Sequence, residues 1–266
     1  MAIRVGTQPI LSFKVGGVIA PSWTPLDFTD IKYYWTADDL STSTLSGGDV
    51  VVWKDIVSGQ DMIRNASYGA PTTGSSATLN SQPILSFNGT SDFLYTDWQP
   101  ASWTGDKTWL AVYNLVGSGT SGVIFGWCAI IGGVQRLYHD TFGGNLRMYS
   151  ENFSSATATN MEVPFSTGAT AWKARYNASS GQVYYAVDTT TETLSASGGT
   201  TNSEWGIYSS FCVGATMNSR SNPTPYGGRY VPIEMAECMI INGSPSPTEM
   251  GEWTTYVNNK YGTIIV

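Results

Sequence analysis

The chain has 266 residues, of which 41% are hydrophobic and 13% aromatic. Only 12% are charged, about half of the ~25% usual for a soluble domain, so Gly, Ser, Thr and Asn supply much of the polar surface. A formal net charge of −7 argues against binding nucleic acid through its phosphates, which takes a basic face. The sequence holds no apolar run long enough for a helical span, so no membrane insertion is expected.

Residues 1–30 differ from the rest. Ile3, Val5, Ile10, Phe13 and Val18 sit in short extended pieces broken by Pro9, Gly16, Gly17, Pro21 and Pro25. Such density of Pro and Gly suits an extended strap better than a central strand. An N-terminal arm over residues 1–30 is expected, adding a strand to a neighbouring chain or supplying edge strands of its own domain. Arg4 and Lys14 flank no continuous apolar segment, so no export signal is expected. Cys128, Cys212 and Cys238 are odd in number and lie in apolar runs. They are expected to be buried free thiols, in keeping with folding in a reducing cytoplasm.

From Ile31 onward the pattern is regular and reads as one domain, 31–266. Strands are expected at 33–36, 50–53, 84–88, 93–96, 108–115, 122–131, 135–139, 145–150, 171–176, 182–187, 205–214 and 233–241. Clusters of Gly, Asn, Ser and Pro separate them, as in a sandwich or barrel. Gly143-Gly144, Ser180-Gly181 and Gly198-Gly199 read as hairpin turns. One helix is expected, over 246–261. Ser246 is a good N-cap, Pro247 suits the first helical position, and Glu249 three residues on completes a capping box. Met250, Trp253, Val257 and Tyr261 then recur at spacings of three and four, which makes one apolar face. Lys260 and Gly262 close the helix.

Three segments together resemble the LamG-like, concanavalin A-type jelly-roll family. They are Trp53-Lys54-Asp55 with Ser58-Gly59-Gln60-Asp61, the run Pro83–Leu94 (PILSFNGTSDFL), and Ala236–Asn242 (AECMIIN) with the helix ending Lys260-Tyr261-Gly262. The resemblance spans about residues 31–262 and implies an all-β fold: a two-sheet antiparallel jelly-roll sandwich with one C-terminal helix. In this form it looks most like virion proteins of tailed phages. That implies a non-enzymatic structural protein made in the host cytoplasm and carried on the virion as a capsid decoration, head fibre or tail-associated protein. It would join other virion proteins through residues 1–30, form a homo-oligomer, and present its loops for host attachment. The alternative is a carbohydrate-binding adhesion module that meets a cell-surface glycan; a glycan-active hydrolase ranks behind both. The family is functionally mixed, so fold does not fix function.

Candidate sites follow from chemistry. Glycan-cleaving relatives carry paired acids on one strand. Here Glu234 and Glu237 are three apart, which in a regular strand puts them on opposite faces, and no catalytic residue is expected. His139 is the sole histidine and reads as a surface residue at a strand end, which leaves no triad and no zinc set. No cofactor is required. The resemblance leaves calcium open, with Asp55 and Asp92 as loop ligands; the plainer reading is that these two carboxylates tie down turns. Sugar rings stack on aromatic faces, and Trp98, Trp103, Tyr226 and Tyr230 lie in turn-rich segments. They are the candidate glycan contacts, against core or interface packing as the plainer reading.

Overall fold

A computed structural model describes residues 4–5, 8–9, 23–41, 43–97, 105–117, 122–128, 136–142, 145–151, 158–164, 167–180, 182–196, 210–218, 223–262 and 264–266. Its strands pair antiparallel throughout and form two faces. Lys107–Leu115 runs through the middle of the first sheet. Gly168–Asn177, Gln182–Val187 and Thr193–Ala196 follow on one side. On the other lies Pro232–Asn242, whose far edge is shared by Ile31–Thr36 and Gln82–Asn88. The second sheet runs from Ala158–Pro164 through Asn145–Glu151, Arg136–Phe142, Val123–Cys128 and Ser210–Val213 to Leu94–Tyr95, Met62–Ile63 and Asp49–Trp53.

Period-two alternation decides what each face buries. In Lys107–Leu115, Trp109, Ala111, Tyr113 and Leu115 face the second sheet, where they meet Phe125, Phe211 and Trp53. Leu110 and Val112 face the other way, toward the helix. Trp35, Trp53, Trp109 and Trp172 are fully buried, each burial contributing about 1.5–3 kcal/mol or more for so large a ring.

The expected helix is present as Pro247–Tyr261, with Ser246 as N-cap and the capping box complete in both directions. Trp253, Val257 and Tyr261 are buried against Leu110, Val112 and Met239 on the outer face of the first sheet, with Met250 partly buried beside them. The outer face of the second sheet has its own cover. Ala215–Met217 pairs with Pro225–Tyr230, and this hairpin packs Met217 and Tyr230 on Phe93, Tyr95, Val123 and Cys212. The expected all-β sandwich with one C-terminal helix is thus the observed fold, with a cover on each outer face.

Several expectations change. Val112 pairs with Glu237 but Tyr113 pairs with Met235, so Ala236 is the extra residue of a β-bulge. The bulge breaks the alternation and turns both Glu234 and Glu237 to the outer face. Asn114 Nδ2 donates to Glu234 at 2.7 Å. Glu237 is fully buried; its Oε2 accepts from the hydroxyls of Tyr34 (2.8 Å), Tyr256 (2.9 Å) and Tyr261 (3.0 Å). Burial first, and then the Glu237 charge, push all three phenols well above the ordinary tyrosine range, so they stay donors. Lys260 reaches the same oxygen at 3.5 Å and pairs with Asp38.

Residues 23–30, assigned to the arm by sequence, pack on the domain. The Trp23 ring meets Phe28 edge-on at 4.9 Å and Tyr256 at 6.0 Å. The Thr29 N–H and hydroxyl donate to Glu249 Oε1 at 2.9 and 2.8 Å. Of residues 1–22 only the short pairing of Arg4–Val5 with Gln8–Pro9 is described; the rest of the expected arm lies outside the described residues. Cys238 is free and buried, but Cys212 is disulfide-bonded. The expectation of three reduced thiols is therefore corrected, and with it goes the cysteine argument for a reducing compartment. The Cys128 and His139 side chains lie outside the described residues, although His139 falls inside the strand Arg136–Phe142 rather than at its end.

Candidate functional site

The two carboxylates considered for calcium each accept hydrogen bonds that organise their own loops. Asp55 is buried. Its Oδ1 accepts from the backbone N–H of Tyr34 (2.8 Å) and Val57 (3.0 Å). Its Oδ2 accepts from Ser58 N (3.0 Å), Ser58 Oγ (2.5 Å) and Gln60 N (3.2 Å). Five donors on one carboxylate explain the Trp-Lys-Asp…Ser-Gly-Gln run: Asp55 ties its own loop to the core strand Ile31–Thr36, and Trp53 Nε1 donates to Thr36 O alongside. Asp92 accepts from Asn88 N (3.0 Å) and Ser91 Oγ (3.1 Å). Burial raises its pKa, and those two bonds offset part of the rise. Gly69 bridges to Asp92, and a Cβ at Gly69 would overlap the Asp92 carboxylate and displace it. Among the described residues no three His, Cys, Asp or Glu side chains gather where they could hold a metal ion.

The four aromatic candidates separate sharply. Trp98 and Trp103 lie outside the described residues. Tyr230 is 7% exposed; the hairpin folds it onto the second sheet, and burial raises its phenol pKa, with Tyr68 and Asp92 adding to the rise. It is packing, not platform. Tyr226 is 37% exposed and stands on the same hairpin. Gly227 and Gly228 follow it at φ +59° and +68°, a left-handed pair that side-chain-bearing residues adopt with strain. That turn brings the Arg229 guanidinium to 5.0 Å from the Tyr226 ring centroid. A cation at this distance is attracted to the ring face. At the end where its two strands are joined, the hairpin is held by Asn218 Nδ2 donating to Thr224 Oγ1 (2.7 Å) and by Asn65 Nδ2 donating to Pro223 O (2.8 Å). Arg229 and Asn65 were missed by sequence reasoning; Arg229 had a visible signal, three residues from Tyr226 across a Gly-Gly pair.

No protein-family profile matches the sequence, and no curated protein matches it. Solved structures share its fold. A Trypanosoma rangeli sialidase aligns with TM-score 0.53 and 14% identity over 90% of this chain and 34% of its own. An arabinofuranosidase complexed with arabinofuranosyl-α-1,2-xylobiose aligns at 0.51 and 11% over 81% of this chain and 51% of its own. Domain 4 of AbnA, a GH43 extracellular arabinanase from Geobacillus stearothermophilus, aligns at 0.52 and 13% over 88% of this chain and 100% of its own, in a structure with arabinotriose. This chain spans about a third of the length of the sialidase structures it matches. At such identities the likeness bears on the fold.

The expectation of a non-enzymatic protein is corrected by these matches. Sialidases and an arabinofuranosidase carry this fold, so the fold gives no ground for excluding an enzyme. The acid-spacing argument fails as well, because the Ala236 bulge places Glu234 and Glu237 on one face.

Proposed function

We propose that this domain recognises glycans through the strand Pro225–Tyr230 of this hairpin, with Tyr226 as the stacking platform. The observation that carries this reading is Tyr226: among the described residues it is the one aromatic side chain left exposed, beside a guanidinium. The C–H face of a sugar ring stacks on a phenol ring, while Arg229 donates to ring hydroxyls. The glycine pair permits the left-handed turn that sets Arg229 beside the Tyr226 ring. The arabinotriose held by the AbnA domain of similar fold supports carbohydrate as the ligand class.

The virion setting implied by the sequence resemblance fits the same act. A tailed-phage particle carrying many copies, anchored to other virion proteins or sister copies through the first residues, turns weak single contacts into avidity. The test is a glycan array probed with the full chain and with Tyr226→Ala. At least tenfold weaker binding is expected for the variant, with an unchanged melting temperature because the ring is exposed. Wild-type binding that survives Tyr226→Ala, or no glycan bound at all, would overturn the reading. The same incubations, assayed for released sugar, separate binding from cleavage.

A further inference from the structure

A groove of about 560 Å³ opens on the opposite side of the molecule, between the helix Pro247–Tyr261 and the turn after Gln182–Val187. This lies within the ~300–1,000 Å³ of small-molecule sites. Its polar side is an ion cluster. Lys173 Nζ lies 2.5 Å from Glu192 Oε1, and Arg175 holds Glu192 Oε2 through Nη2 at 2.7 Å. The three side chains are only 13–20% exposed. Burial raises the Glu192 carboxyl, but its bonds to Arg175 and Lys173 outweigh this and hold it below the usual range. Arg175 is further fixed over the Tyr184 ring at 4.3 Å. Thr189, Thr190 and Thr254 add hydroxyls, and Pro245, Pro247 and Met250 make the apolar wall.

Two further observations concern the helix side. Trp253 lines the groove, and its buried Nε1 has no hydrogen-bond partner. Gly251, also in the lining, sits in the interior of the helix, where glycine costs about 1 kcal/mol relative to alanine. No close packing demands it: a Cβ there would meet nothing within 4 Å, and its φ is ordinary. What the missing side chain does is leave the groove wide.

We propose that this groove is a binding site for a short neutral saccharide, separate from the Tyr226 hairpin. It rests on the reading of this chain as a glycan binder. Lys173 donates and Glu192 accepts side by side, and a vicinal diol, each hydroxyl both donor and acceptor, meets both at once. Lys173 and Glu192, the two charged residues of the lining, are paired with each other, so the wall carries no net charge for an ionic ligand to neutralise and suits a neutral one. The prolines and Met250 take the sugar's C–H face.

The test uses the full chain, an array of neutral and sialylated oligosaccharides, and titration calorimetry with the strongest neutral hit. Gly251→Gln places a long side chain in the groove and replaces glycine by a good helix former. Its melting temperature should hold or rise while affinity for the neutral hit falls tenfold or more, a pairing that unfolding cannot produce. Lys173→Met should weaken the same ligand at least fivefold. If the neutral hit binds Gly251→Gln as well as wild type, the groove site is wrong and the hairpin reading stands. If only sialylated glycans bind, the neutral class is wrong. If the wild type binds no glycan, both readings fall together.

Discussion

Glu249 joins two distant parts of the chain through one carboxylate, and removing its charge has a calculable effect. One oxygen takes the N–H and hydroxyl of Thr29; the other takes the N–H (2.8 Å) and hydroxyl (2.7 Å) of Ser246. The backbone N–H bonds from Thr29 and Ser246, then the hydroxyl of Ser246, lower its pKa from 4.5 to about 2. At ~1.36 kcal/mol per pH unit that drop corresponds to about 3 kcal/mol. Solvent screening around a largely exposed carboxylate reduces this to about 1.5 kcal/mol. Because the folded pKa lies below the unfolded one, the contribution is complete above about pH 4.5 and is lost as pH falls through about 2. Glu249→Gln should therefore be less stable than wild type by about 1.5 kcal/mol at pH 7 and at pH 5. The gap should close between pH 4.5 and 2. Urea unfolding at a series of pH values, with the slope checked for constancy, measures it. A gap under about 0.5 kcal/mol at pH 7, the usual scatter of surface changes, or one that persists unchanged to pH 2, would refute the reasoning.

Other outcomes follow from single features. Asp188 stands at φ +54°; burial raises its pKa from 3.8 to about 6, against a bond from Ala171 N. The cost to stability therefore builds between about pH 4 and 6 and is complete above about 6, so Asp188→Asn, which keeps an acceptor and tolerates positive φ, should stabilise by about 1 kcal/mol at pH 7 and by nothing below about pH 4, read by thermal melts. Trp253→Ala should cost about 3–5 kcal/mol. Trp253→Phe should cost far less, since the buried indole N–H makes no bond to lose; equal costs would mean that an unseen partner holds it. Alkylation of the denatured chain should label one cysteine without reductant and all three after reduction, as counted by intact mass.

What could be read in the sequence was local. The capping box and apolar stripe lie within sixteen residues, so the helix emerged with its cap, its face and its end. Asp55 was readable as a turn-tying residue because its donors at Val57, Ser58 and Gln60 are its near neighbours. The misses are long-range. The bond from Thr29 to Glu249 spans 220 residues, so nothing near residue 29 announces that contact. The bulge at Ala236 is set by the partner strand, and no feature of Ile233–Ile241 (IEMAECMII) announces it. The strand Ala158–Pro164 (ATNMEVP) is polar at an outer position of its sheet and lacks the β-branched run that marks a buried one. An odd cysteine count favoured free thiols, but parity excludes only full pairing. At the candidate sites, type was visible and exposure was not: Tyr226 and Tyr230 are four residues apart on one hairpin, one facing solvent and one facing the sheet.

The placement of Pro232–Asn242 bears on the order in which the protein can be built during synthesis. This strand, which is made after all three of its partners, is the common neighbour of Ile31–Thr36, Gln82–Asn88 and Lys107–Leu115. Until it emerges, those three segments have no shared partner, and the first sheet is split through its centre. Every contact it makes with Ile31–Thr36 closes a loop of about two hundred residues, which places the chain among slow, topology-limited folders. Nascent chains would therefore wait with apolar strand edges open, a state prone to association. Translation rate and chaperone supply, rather than the stability of the finished sandwich, would then set how much protein is recovered from a cell.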